Sequence, residues 1–181
     1  MNNKSALVLE TYHIDPVHST VTFKVKHMMI NHSIGRFNEF EGEVHFDPHD
    51  LTDSSIRMSI QAASIDTYNK DRDDHLKGQE FFDTARFPSI TFSSKTISKQ
   101  LGGYAVHGDL TIKGITKKVS LSVHIQGPVK NAHGEETIGI IGEMTLNRKD
   151  FDISFDKTVD DGKKPMVDDN VKIDINLEAK K

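Results

Sequence analysis

The sequence predicts an all-β protein built from antiparallel strands, and three observations carry that expectation. Apolar and polar residues alternate with a period of two through most of the chain, the pattern of strands with one buried face. About eight such stretches follow one another, nearly all apolar on one side only, which suits a sandwich or an up-and-down barrel. One long segment, Ser64 to Phe92 (SIDTYNKDRDDHLKGQEFFDTARFPSITF), breaks the alternation with helix signals, and a helix able to cover a barrel mouth favours the barrel.

Tyr12 to Ile14 reads as a short strand ended by Asp15 and Pro16, where proline fixes φ and aspartate bonds the following backbone. Beyond Ser19, Val21, Phe23 and Val25 share one face, with Thr20, Thr22, Lys24 and Lys26 on the other. Met28, Met29 and Ile30 interrupt this pattern, so His27 to Ile34 is expected to be a loop or short helical turn beside the mouth, with Gly35 permitting a turn. Phe40, Val44 and Phe46 then line one side of a strand around Gly42, and Pro48 to Asp53 is a turn cluster. Ile56, Met58 and Ile60 form the next inward row, opposite Arg57, Ser59 and Gln61.

In the interrupting segment Asp66, Thr67 and Asn69 offer N-cap side chains, while Asp71, Asp73 and Asp74 put negative charge where the helix dipole favours it. Lys77 and Gly78 are stop signals. The expectation is one helix, Lys70 to Lys77, then the aromatic pair Phe81 and Phe82, with strand resuming after Pro88.

Ile90 and Phe92 follow, and Gly102-Gly103 signals a hairpin. Tyr104, Val106, Leu110 and Ile112 make an inward row; after Gly114, so do Val119, Leu121, Val123 and Ile125. Past a polar connection from Pro128 to Glu136 come Ile138, Ile140, Gly142, Met144 and Leu146. Ile141 is on the wrong face for that row, as a bulge or a dimer contact would explain. Phe151, Ile153 and Phe155 read as a short continuation, Lys157 to Asn170 as a charged mobile loop, and Val171, Ile173, Ile175 and Leu177 as the last strand.

Composition limits the rest. The 181 residues suffice for one domain with one substantial core, spanning 1–181. Apolar residues at 35% against 28% charged place the chain among folded proteins, well short of a disordered composition. A net charge of -4 argues for a soluble protein and against nucleic acid as the main partner. With no cysteine, thiol catalysis, disulfides and thiolate metal sites are excluded. The N-terminal apolar run Ala6 to Leu9 is shorter than the roughly 7 to 15 residues of a signal-peptide core. No run approaches the about 20 apolar residues of a membrane span. The expected location is therefore cytoplasmic, or periplasmic if a leader has been removed.

Specific blocks of this sequence resemble the YceI-like, or polyisoprenoid-binding, family. They are YHIDPVHSTVTFKVKH from Tyr12, GRFNEFEGEVHFDP from Gly35, SIDTYNKDRDDHLKGQEFFD from Ser64 and PSITF from Pro88. GDLTIKGITKKVSLSV from Gly108, RKDFDI from Arg148 and the closing VDDNVKIDINLE complete a set that stands in the family's order from Tyr12 to about Glu178. Asp152 departs from it, where glycine is expected. The resemblance implies an eight-stranded lipocalin-like barrel with one short helical segment covering it. It further implies an apolar pore holding a long isoprenoid, such as a polyprenyl phosphate or a ubiquinone-type quinone, and a homodimer. No cofactor besides that lipid and no agreed enzymatic activity come with it.

The pore candidates are Val21, Phe23, Val25, Phe40, Val44, Phe46, Met58, Ile60, Phe92, Val106, Leu110, Val123, Ile140 and Met144, each of which also fits plain core filling. For a head group, Arg72 and His75 stand at helical spacing in the lid and suit charge-assisted hydrogen bonds; Arg36 and Arg148 are second candidates. The competing reading of Arg72 is a pair with neighbouring aspartates that fixes the segment. A filled barrel working through its dimer surface is one alternative function. Another is a hydrolase using Asp71, Asp74 and His75, though no Gly-x-Ser-x-Gly, phosphate loop or His-Glu-x-x-His motif supports it. No metal site is expected: His45 with His49, and His27 with His32, do not converge at strand spacing.

Overall fold

A computed structural model describes residues 9–181. Most of the Ala6 to Leu9 run, and the reading based on it, lies outside the described residues. The strands are β1 (Glu10–Ile14), β2 (Thr20–His27), β3 (Asn31–Phe37), β4 (Phe40–Phe46), β5 (Ser55–Gln61) and β6 (Ile65–Asp66). After helix α1 (Lys70–Leu76) come β7 (Ser89–Gln100), β8 (Gly103–Ile112), β9 (Ile115–Lys130) and β10 (Glu136–Asn147). The small β11 (Thr158–Val159) and β12 (Lys164–Pro165) precede the closing strand β13 (Val167–Lys180).

The ladder registers fuse the first six of these into three. β1 and β2 run the same way along β13, one opposite residues 179 and 180 and the other opposite 167 to 176, so they are one strand broken at the Asp15-Pro16 turn. β3 and β4 pair with β2 and β1 in turn, and β6 and β5 with β3 and β4. Eight antiparallel staves result, each beside its neighbour in sequence, and β13 pairs with β10 on one side and the first stave on the other. The barrel is thereby closed, and only the two-residue β6 keeps an unpaired edge among the described staves. The connections 28–30, 67–88, 113–114 and 148–166 all gather at one end, the mouth, while 47–54, 101–102 and 131–135 lie at the other.

Alternation delivers the core as expected: Val21, Val44, Phe46, Met58, Val106, Leu110, Val123 and Ile140 are buried, and Tyr12, Phe151, Ile138 and Leu177 are the largest fully enclosed side chains. The structure corrects the sequence in three stretches. His27 to Ile34 is a tight hairpin between β2 and β3, because Met28 and Met29 accept left-handed φ values of 50° and 60° and let pairing resume at Asn31. Arg148 to Phe151 is a 3-10 turn, and Phe151, Ile153 and Phe155 are buried as a plug instead of extending a strand. The charged segment 157–170 contains the β11–β12 hairpin and the start of β13. Ile141 lies on the outer wall at 54% exposure, and the register shift falls nearby between Thr137 and Gly139. At Asp152 the backbone is left-handed (φ 54°), which accounts for the expected glycine; aspartate is among the few other residues that tolerate it.

The seam where β1 gives way to β2 is tied by Asp15. Its N–H donates to Glu178 O (2.8 Å), and its carboxylate accepts from Val17 N–H (3.0 Å), His18 Nδ1 (2.8 Å) and Lys180 Nζ (2.5 Å). The His18 contact first, then Lys180, hold this carboxyl well below the ordinary carboxylate range. A lowered acid stabilises the fold at pH values above its unfolded pKa of about 3.9, and that contribution fades as pH falls toward its folded value. Asp15→Asn is therefore expected to unfold at lower urea than the wild type at pH 7, with the difference shrinking as pH drops below about 4. Urea titrations across that range check it, and a pH-independent difference contradicts it.

Candidate functional site

The barrel interior is not filled. A void of about 270 Å³ lies under the mouth and a second of about 80 Å³ deeper in, both far larger than the roughly 10–15 Å³ that one water needs. Val21, Ile60, Ile90, Leu110, Met144 and Ile173 border both, so the two lie end to end on either side of a shared ring of side chains, the neck. The deep void is apolar except for Ser54 and Ser55. Its floor is Phe46 and Ile138, with Tyr12 edge-on to Phe46 at 5.5 Å between centroids. The Tyr12 hydroxyl donates toward Glu10 and Glu136, both at 3.3 Å; burial first, then those carboxylates, push its pKa up to about 12 and keep it neutral.

The mouth is capped by α1 and the chain around it. Asn69 Oδ1 accepts the Arg72 N–H at 2.9 Å, and Lys77 terminates the helix one residue before the expected end. Thr67 is the anchor beneath: it receives Arg72 Nε at Oγ1 (2.8 Å) and Arg72 Nη2 at its carbonyl (2.7 Å), while donating its own N–H (2.8 Å) and hydroxyl (2.5 Å) to Asp73. Gly35 is required alongside, since a Cβ there would run into the Phe23 ring and stand 2.8 Å from the Thr67 methyl. Phe81 and Phe155 stack at 4.9 Å, with His75 edge-on to both at 5.0 and 5.6 Å. Lys113, at the β8–β9 turn, donates to Gln79 O (2.7 Å) and Asp152 O (2.6 Å), and Glu80 O accepts from Ser154 and Phe155 N–H, so both lid segments and that turn are fastened together.

The pore candidates distribute along this channel. Phe23 and Val25 border the upper void; Val44, Phe46, Met58, Phe92, Val106, Val123 and Ile140 the lower; Val21, Ile60, Leu110 and Met144 both. Phe40 borders neither: it is core, opposite Ile60 in the ladder. Among the cationic candidates, Arg72 and His75 border the upper void. Arg72 bonds Thr67, not the aspartates expected of it. Arg148 also borders the void, but its guanidinium is 3% exposed and committed to Asp168 O, Ile153 O, Val167 O and Asp169. Arg36 is on the outside, paired with Asp66 at 3.3 Å and lying over the Tyr68 ring.

The acid-base cluster does not assemble. Asp74 is held by Lys70 (2.6 Å) and Lys77 (3.8 Å), while His75 Nε2 meets Glu80 at 3.3 Å. His27, His32, His45 and His49 join no group of three metal-type ligands among the described residues; Asp15, His18 and Glu178 do come together, with the Lys180 ammonium already against Asp15. Sequence reasoning missed Phe37, Thr67, Leu76, Phe155 and Met166 as lining residues. Phe37 and Ile173 carry the same alternation as the others; Phe155 and Met166 sit in irregular chain with no periodicity to betray them.

Comparison with known proteins places this geometry. The YceI-like domain profile matches residues 12–179. A UPF0312 protein of Staphylococcus epidermidis is 36% identical over 168 residues, covering 92% of this chain and 95% of that protein. A UPF0312 protein of Shewanella oneidensis is 33% identical over 140 residues, 77% of this chain and 73% of its own length. Burkholderia cenocepacia BcnA superposes with a TM-score of 0.80 at 30% identity, over 91% of this chain and 98% of that one. A polyisoprenoid binding domain from Saccharophagus degradans, implicated in plant cell wall breakdown, shares the fold at a TM-score of 0.69 and 14% identity, over 93% and 97%.

Because the buried Arg148 donates to the carbonyls of Ile153, Val167 and Asp168 and to the Asp169 carboxylate beneath the plug, Arg148→Met is expected to destabilise the protein by about 3 kcal/mol, from acceptors left without that donor. Chemical denaturation measures it. A loss below about 1 kcal/mol would mean water replaces the guanidinium there.

Proposed function

The chain belongs to the YceI-like domain family, and from that premise we propose that it binds an isoprenoid lipid in its barrel, as a carrier or store and not as an enzyme. The observation that carries this reading is the pair of mostly apolar voids that lie end to end inside the barrel. Transfer of apolar groups is worth about 0.8 kcal/mol per CH2, so each isoprene unit contributes on the order of 3 kcal/mol, and a few units offset a binding entropy cost of roughly 4 to 15 kcal/mol. A polyprenyl phosphate or an isoprenoid quinone both suit such a wall, which grips tails without rejecting many. The domain of this fold from Saccharophagus degradans, which binds polyisoprenoid, supports the same class of ligand.

The tail threads from the upper void through the neck into the lower one, and the head group stays under the lid. Arg72 and His75 are the groups to receive it: both border the upper void, and Nη1 of Arg72 and Nδ1 of His75 have no partner among the described residues. Arg148 stabilises the plug instead, and Arg36 the outer wall. A homodimer belongs to the same reading, with Leu101 and Ile141 exposed beside a groove on the outer wall.

Native mass spectrometry of protein purified from cells tests the reading. The wild type should carry a noncovalent mass of several hundred daltons whose organic extract is isoprenoid, on the order of 3 kcal/mol of burial per unit making it survive purification. Leu110→Trp, which closes the neck, should expel it or select a shorter chain, and Leu110→Ala should admit longer ones. A wild type that carries no lipid and takes up none from added polyprenol or quinone ends the proposal.

A further inference from the structure

The β2–β3 hairpin forms one rim of the cavity: Val25 and His27 border the upper void, and Met28 N–H donates to Met166 O at 2.7 Å. Its turn is closed by Ile30 N–H to His27 O at 3.2 Å, with Met28 and Met29 at φ 50° and 60°. Turns with two left-handed central residues favour asparagine and glycine. Local stability therefore does not select two methionines here. Packing accounts for the half-buried Met28 but not for the tip itself, where Met29 is 40% exposed and Ile30 75%.

The charge on the hairpin's own chain is sorted; across the ladder β13 brings Asp168 and Asp169 near Lys26, with Asp169 already paired to Arg148 and Lys149. No Asp or Glu occurs from Pro16 to Asn38, in a chain whose 27 acids outnumber its 23 bases. Lys24 and Lys26 are exposed on the outer face of β2 and make no ion pair among the described residues. Arg36 and Lys172 nearby are already taken, by Asp66 and by Glu143 with Asp174. The helical lid at the same end is rich in carboxylates, including Asp71, Asp74 and Glu80.

We propose that this hairpin docks the protein on an anionic lipid bilayer, Met29 and Ile30 entering the interface while Lys24 and Lys26 meet lipid phosphates. A bilayer offers apolar depth beneath a negative surface, which is the complement of greasy tip and free lysines. Two tip side chains fall far short of the roughly 800 Å² per partner of a standard protein interface, so a bilayer fits better than a protein. The lid segment 67–88 carries five carboxylates against four Lys and Arg, with Asp74 and Glu80 already paired, so it adds no comparable attraction and the hairpin side of the mouth faces the lipid. The proposal goes beyond the cavity reading and is tested apart from it.

The test is flotation with vesicles of phosphatidylcholine, with and without phosphatidylglycerol, containing no isoprenoid. An empty or unused cavity then leaves the result unaffected. The wild type is expected to float with the anionic vesicles and to be released by salt. Met29→Asn with Ile30→Ser should lower the bound fraction about tenfold, the asparagine suiting the left-handed turn so that the fold is preserved. Lys24→Glu with Lys26→Glu should abolish the preference for phosphatidylglycerol, and Val129→Ser, exposed at the far end, should float as the wild type does. A wild type that stays with the unbound fraction overturns the proposal. So does a tip variant that floats unchanged, and so does one that loses only its self-association, which would assign the hairpin to a protein contact.

Discussion

Closure of the hydrogen-bonded ladder is the constraint from which the other features descend. β13 pairs with β10 along one side and with both β1 and β2 along the other, which closes the ladder and leaves only the two-residue β6 with an unpaired edge among the described staves. With eight staves the enclosed space is near the size that side chains either fill or leave open for one small ligand. Here the inward residues are mostly Val, Ile, Leu and Met, which do not fill the interior, and two adjacent voids remain. The split of the first three staves belongs to the same geometry. The Asp15-Pro16 turn and the 3-10 turn at Ala62–Ser64 let each long strand bend while keeping its partners, and Asp15 secures the bend nearest the seam.

An open interior demands a lid that is itself stable, and the two ends meet that need differently. At the floor, Tyr12, Phe46 and Ile138 come from regular strands and pack as ordinary core. At the mouth the one short helix, α1, covers only part of the opening. The chain instead gathers two irregular segments and fastens them through Lys113, Arg148 and Thr67, whose donors and acceptors satisfy backbone groups that strands would otherwise pair. The same irregularity leaves room for polar groups over the void, with Arg72 and His75 bordering apolar wall on one side and solvent on the other. The hairpin at 28–30 adds the exposed Met29 and Ile30 to that rim, beside Lys24 and Lys26, which make no ion pair among the described residues.

What was readable in advance followed periodicity. The inward rows of Val21 to Val25, Ile56 to Ile60 and Tyr104 to Ile112 are set by side-chain alternation that a strand cannot avoid. The helix at Lys70–Leu76 was visible through its cap and its charges, because those act within one turn of chain. Readings failed where the deciding contact was distant in sequence. Nothing near Met28 announces a left-handed turn, and the pairing of Asn31 with His27 depends on the rest of the sheet. Phe155 becomes a cavity wall by stacking on Phe81, 74 positions away, and Arg148 is consumed by carbonyls of Ile153, Val167 and Asp168.

The sequence by itself determined the antiparallel class, the helix and which face of each strand turns inward, since all three are consequences of local steric period and capping. Through its ordered motifs it also declared the family. Only the tertiary structure decided that the rows enclose adjacent voids, that Phe40 packs away from them, and which cations remain available at the mouth. The physical reason is that a void, a saturated guanidinium or a free lysine is a relation among residues on different staves, set by barrel width and by long-range hydrogen bonds that no local pattern encodes.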